Sequence, residues 1–100
     1  MPVNQMRPIH PGEILLEEFL KPLKMSANAL SIALRIPAPR INDLVREKRG
    51  LSADTALRLA RYFGSTAQFW LNLQTADELK IVEQQVGASI HKEIFPRQVA

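Results

Sequence analysis

The sequence predicts an all-α fold of five short helices in a single domain. Three observations predict it. Apolar residues recur at helical spacing along most of the 100-residue chain, helix-starting and helix-stopping residues bracket each such stretch, and strand-like alternation is absent ahead of a short C-terminal tail. A hydrophobic content of 46% with 23% charged residues suits a chain of this size that buries one core.

The first helix is read from "HPGEILLEEFLKPL". His10 is placed to cap it, Pro11 suits the first helical position, and Glu13 sits where a carboxylate favours the positive end of the helix dipole. Ile14, Leu15, Phe19 and Leu20 form the apolar stripe, and Pro22 is expected to end it. The second helix, in "SANALSIALR", starts at Ser26 as N-cap and buries Leu30, Ala33 and Leu34. It stops ahead of Pro37, because a residue before proline is pushed out of the α region. The third spans about Ala38 to Glu47, with Pro39 in its first turn, where a missing N–H costs little. The fourth, in "SADTALRLARYFG", is capped by Ser52, buries Ala56, Leu59, Ala60 and Phe63, and ends at Gly64. The fifth opens with "STAQ", read as a capping box of Ser65 and Gln68, and runs to about Gln85. These elements divide the chain into an N-terminal arm (1–8), a helical domain (9–85) and a tail (86–100), where Ile90 and Ile94 fit either a short strand or a helix fragment.

The second and third helices, joined by Arg35-Ile36-Pro37, have the lengths and spacing of a helix-turn-helix unit. Leu30 and Leu34 face Ile41, Leu44 and Val45 across it, Ile36 plugs the turn, and Ser31 is small enough to let the helices cross closely. On a wheel of the third helix, Ile41, Leu44, Val45 and the stem of Lys48 point inward. Opposite them lie Pro39, Asn42, Asp43 and Arg46, with Arg40 on one flank.

Charge is concentrated on the same segment. Residues 35–61 carry seven bases against three acids, a net of +4, while the rest of the chain sums to −1. A polar helix face rimmed by cations fits double-stranded DNA, with side-chain forks for base edges and positive charge for phosphates. Base readout is assigned to Pro39, Arg40, Asn42, Asp43 and Arg46: Asn42 suits adenine, Arg46 or Arg40 guanine, and Asp43 can accept from cytosine. Phosphate contacts are assigned to Ser26 and Asn28 at the amide end of the second helix, and to Arg35, Lys48 and Arg49. The fifth helix is apolar around too much of its circumference for one buried stripe, so a second copy is expected to cover Phe69, Trp70, Leu73, Leu79 and Val82. A homodimer suits the two half-sites, about 34 Å apart, that helix-turn-helix proteins commonly read.

The ordered segments "HPGEIL", "RIN", "KRG", "DTALRLARYFG" and "FWLNLQ", spread over roughly residues 7–80, resemble the HigA (VapI-type) antitoxins of the lambda-repressor-like helix-turn-helix superfamily. The resemblance implies a five-helix DNA-binding domain that dimerises and represses its own toxin–antitoxin operon. It also implies direct binding and neutralisation of a HigB-type, ribosome-dependent mRNA interferase. The family's reading helix maps onto Ala38–Glu47. Arg35 and Glu47 stand where glycine is common, and Ala27 replaces a phosphate-binding glutamine. Ala38 and Pro39 offer no side-chain hydrogen bonds, which moves base readout toward Asn42, Asp43 and Arg46. Two other readings stay open: a stand-alone regulator with no toxin, and a protein-interaction module that no longer binds DNA.

Enzymatic chemistry is not expected. The chain has no cysteine, and His10 and His91 lack paired ligand spacing, so no metal, cofactor or thiol chemistry is assigned. Glu17 and Glu18 diverge on a helix as two adjacent solvent-facing groups rather than an acid–base pair. No apolar run reaches the roughly 18 residues of a membrane span, and the N-terminus lacks a signal-peptide core, so a cytoplasmic protein is expected.

Overall fold

The computed structural model describes residues 7–98, and every regular element among them is helical. His10 opens the first helix as expected: its Nδ1 accepts from the Gly12 N–H at 2.9 Å, with Pro11 at the first helical position. The helix does not stop at Pro22. Segments Pro11–Ile14, Leu15–Leu20 and Lys21–Leu23 run together as α1 (residues 11–23), and the middle segment is a π-helix in which the Lys21 N–H reaches back to the Leu16 carbonyl. This wider turn relieves the clash that a proline ring makes with the carbonyl four residues earlier, so Pro22 is carried inside the last turn. Ahead of α1, Arg7 makes a paired contact to both Glu13 oxygens at 3.0 and 2.6 Å. That hydrogen-bonded guanidinium holds the Glu13 carboxyl below the usual carboxylate range. Residues 1–6 of the expected arm and the last two residues of the tail lie outside the described residues.

Ser26 caps α2 (Ala27–Leu34), accepting from the Ala29 N–H at 3.0 Å. Leu30, Ser31 and Leu34 are buried, whereas Ala33, expected inside, is exposed. Helix α3 (Ala38–Val45) packs on α2, where Ser31 is buried and Ala33, about 200° round the helix from it, faces solvent. Helix α4 (Ala53–Phe63) is capped by Ser52 and closed by Gly64 in the left-handed region, φ 73°.

The fifth helix differs most from its expected form. Thr66 caps it, accepting from the Phe69 N–H at 3.0 Å, and no capping box forms. Ser65 instead accepts from the Trp70 indole N–H at 2.9 Å, and Gln68 donates to Asn72. Helix α5 (Ala67–Glu93) passes the expected end near Gln85 without interruption. Val86 and Ile90 continue the helical apolar spacing, and a lone Gly87 costs only about 1 kcal/mol against alanine. The stop comes where Pro96 forces the preceding backbone out of the helix, and Ile94 is already extended.

The core gathers Leu15, Leu20, Leu30, Leu34, Ile41, Leu44, Leu59 and Trp70. Phe19 packs tilted on Trp70 at 5.0 Å and on Phe63 at 4.8 Å, tying α1, α4 and α5 together. Beyond this cluster α5 projects alone and exposes Leu79, Val82, Val86 and Ile90.

Candidate nucleic-acid interface

The turn between α2 and α3 begins at Arg35, which lies in the left-handed region at φ 57°. An L-residue there costs roughly 1–2 kcal/mol relative to right-handed backbone. Arg58 of α4 offsets this: its Nη1 donates to the Leu34 carbonyl at 2.8 Å and reaches the Arg35 carbonyl at 3.4 Å, while Nε pairs with Asp54. Arg58 is therefore spent on closing α2. Of the basic segment, Arg35, Arg46, Lys48 and Arg49 are exposed around the unit, and Arg40 is half-buried on its flank.

Helix α3 buries Ile41 and Leu44 and rests Val45 against the core. Its outer face carries Pro39, exposed, with Asn42 and Asp43 half-buried. Arg46 is the C-cap, and Glu47 is left-handed at φ 62°, so the helix ends two residues earlier than expected. A wheel cannot be continued past that break. The stem of Lys48, expected to point inward, belongs to the loop after α3 and is exposed. Arg40 and Arg49 share a shallow hollow with Leu44, Gly50, Ser52 and Thr55, which sets two cations at the junction of α3 and α4. Ser26 and Asn28 stand exposed at the first turn of α2, and Asn28 Oδ1 accepts from Asn42 Nδ2 at 2.9 Å.

Two residues that position this surface escaped the sequence reading. Gly12 lies where α1 meets the end of α3, and a Cβ built there would sit 1.8 Å from the Leu44 carbonyl oxygen. Gln74 reaches from α5 to the basic loop: its Oε1 accepts from the Leu51 N–H at 2.8 Å, and its Nε2 donates to Glu78. Gly50 leaves room for it, since a Cβ there would come within 2.7 Å of the Gln74 amide nitrogen. A helical glycine and the glycine of "KRG" were the only local signals for these contacts. Gln74→Ala strands the Leu51 N–H beside buried Leu51, and a loss of about 1–3 kcal/mol in chemical denaturation is expected. Faster hydrogen exchange at the Leu51 amide than in the parent identifies the lost bond; unchanged exchange would dismiss the clamp.

The expected second-copy surface is also redrawn. Trp70 is 0% exposed and belongs to the core of its own protomer, and Leu73 is half-buried against the same core. Sequence periodicity cannot see that Phe19 and Phe63, from other helices, already enclose the indole. Phe69, Leu79 and Val82 remain exposed.

No protein-family model matches the chain. It is 63% identical over 81 residues to virulence-associated protein I of Dichelobacter nodosus, covering 81% of this chain and 75% of that one. An addiction module antidote protein of the HigA family from Coxiella burnetii superposes with a TM-score of 0.88 at 51% identity, covering 92% of this chain and all of that one. The Pseudomonas aeruginosa antitoxin HigA, solved with the higBA promoter, superposes with a TM-score of 0.89 at 52% identity, again over 92% of this chain and all of that one. With the helix-turn-helix, its polar α3 face and this agreement along nearly the whole length, the chain belongs to the HigA (VapI-type) family of helix-turn-helix antitoxins.

Proposed function

We propose that the protein is a homodimeric, operator-binding antitoxin that represses its own toxin–antitoxin operon and neutralises a HigB-type mRNA interferase by direct binding in the cytoplasm. The observation that carries this reading is the outer face of α3: Pro39, Asn42, Asp43 and Arg46 outside, Ile41 and Leu44 inside, with Arg35, Lys48 and Arg49 exposed around it. The face suits a major groove, and the flanking cations suit phosphates. Support comes from the relative half-identical to this chain that was solved on promoter DNA. The family's antitoxins and transcriptional regulators are not enzymes. Among the described residues no helix is long and apolar enough to cross a membrane.

Dimerisation is assigned to the projecting half of α5. Leu79, Val82, Val86 and Ile90 follow spacings of three and four, form one exposed stripe, and continue the expected surface beyond Leu73.

The test is a titration against the DNA upstream of the gene, with a scrambled duplex as control, at several salt concentrations. A preference of about a thousandfold or more with a steep salt slope is expected. Equal weak binding to both duplexes would leave only a protein-interaction role. Arg46→Ala should lose about 1–3 kcal/mol on the specific site alone. Lys48→Ala or Arg49→Ala should weaken every sequence about equally and lower the salt slope by about one. A loss for Arg46→Ala that is equal on both duplexes would assign it to phosphate. Co-purification with the product of the neighbouring gene tests the toxin.

A further inference from the structure

The two asparagines of the helix-turn-helix are not independent. Asn42 Nδ2 donates to the carbonyl of Ala38, one turn back on α3, at 2.9 Å, and to Asn28 Oδ1 at 2.9 Å. A backbone carbonyl only accepts, so the Asn42 atom facing it must be the amide nitrogen. Its two hydrogens then meet two acceptors, and the Asn28 atom on that side must be its oxygen. Nothing among the described residues donates to Asn42 Oδ1. The chain of bonds thus leaves an acceptor at Asn42 on the outer face of α3 and a donor, Nδ2 of Asn28, at the exposed first turn of α2.

We propose that Asn28 and Asn42 form an oriented amide relay that presents Asn42 to the major groove as a hydrogen-bond acceptor alone, selecting a base that offers an amino group there, cytosine or adenine. The proposal rests on the operator-binding reading and deepens it. Guanine and thymine turn only acceptors toward the groove, and acceptor against acceptor leaves both unpaired. A two-bond pairing of Asn42 with adenine N6 and N7 requires a free Nδ2 hydrogen, which the relay removes. Asn28, in turn, directs its amide hydrogens at a phosphate, joining base choice to backbone contact through one hydrogen bond.

The experiment is selection of duplexes from a randomised library by the full chain and by Asn42→Ala, Asn28→Ala and Asn28→Asp, each first checked for cooperative thermal unfolding. The position whose preference Asn42→Ala erases is the one Asn42 reads, and there the parent should favour cytosine or adenine over guanine and thymine by about tenfold or more. Asn28→Ala frees one amide hydrogen, so preference at that position alone should shrink to about threefold or less. Asn28→Asp keeps the acceptor for Asn42 but meets the phosphate with negative charge. It should retain the base preference and weaken all sequences together. A parent preference for guanine or thymine at that position overturns the relay, as does an unchanged profile in Asn28→Ala. If Asn28→Ala does not fold, the Asn42→Ala and Asn28→Asp profiles decide by the same criteria. A parent with no sequence preference anywhere would instead remove the operator-binding reading on which the relay rests.

Discussion

Ile41→Asp is expected to abolish the folded state at 25 °C. Ile41 is 0% exposed and stands at the centre of the apolar face that α3 turns to the core. Removing the side chain alone costs about 2–5 kcal/mol. A carboxyl placed there stays neutral only by raising its pKa, and a shift of about three units adds roughly 4 kcal/mol at neutral pH. The sum matches the 5–15 kcal/mol that small domains possess. Leu44, on the same face, is a weaker choice, because it borders the hollow of Arg40 and Arg49, whose guanidiniums would pair a new carboxylate. The control, Ile41→Val, should lose only about 0.5–1.5 kcal/mol. Far-ultraviolet circular dichroism with chemical denaturation distinguishes these outcomes. A cooperative Ile41→Asp transition within about 2 kcal/mol of the parent would mean that α3 is rotated from the orientation described.

That orientation was legible in the sequence because the signals for it are local. Ser26 and Ser52 cap their helices, Gly64 closes α4, and Pro37 and Pro39 mark the entry to α3, each acting within about one helical turn. Apolar spacing then determined which face of α3 looks inward. Local rules failed where an unexpected turn geometry or a competing partner decided. Pro22 ends a regular α-helix, but a π-helical turn removed the clash. Trp70 looked surplus on α5 because its enclosure comes from Phe19 and Phe63. Ser65 satisfies the capping-box pattern, yet its hydroxyl serves the indole and leaves the cap to Thr66.

The candidate site divides along the same line. Which side chains face outward on α3 followed from periodicity, whereas what holds them did not. Arg58 was counted with the basic patch because its charge is visible in sequence; its commitment to the Leu34 carbonyl, 24 residues away, is not. Asn28 and Asn42, 14 residues apart, each read as an independent contact until the turn brought their amides together. The exposed face of α3 is therefore written in α3 itself, and its positioning is written in α1, α4 and α5.

Gly12→Ala should show how strongly the face depends on that positioning. Within a helix, alanine in place of glycine normally gains about 1 kcal/mol, from lower unfolded-chain entropy and better propensity. Gly87 on α5 meets that rule: a new methyl there approaches only the Glu83 Cβ, at 3.8 Å, and the substitution should stabilise the protomer by about 0.5–1 kcal/mol. At Gly12 the sign reverses. The same methyl would lie 1.8 Å from the carbonyl oxygen and 2.8 Å from the carbonyl carbon of Leu44, with His10 Nδ1 at 3.1 Å. The obstacle is backbone and cannot rotate aside as a side chain would. Its oxygen also accepts from the Glu47 N–H at 3.0 Å, in the turn that leads to the basic loop. Either α1 loses its seat on α3, or α3 is pushed outward with its C-terminal turn. The first outcome costs about 3 kcal/mol, the upper range for overpacking. The second spares part of that cost but misplaces Asn42, Asp43 and Arg46 relative to the α2 N-terminus, and should lower operator affinity tenfold or more (about 1.4 kcal/mol). Denaturation and operator titration on the same sample separate the two. A Gly12→Ala protein as stable as the parent, with unchanged operator affinity, would show that the α1–α3 contact does not hold α3 in place.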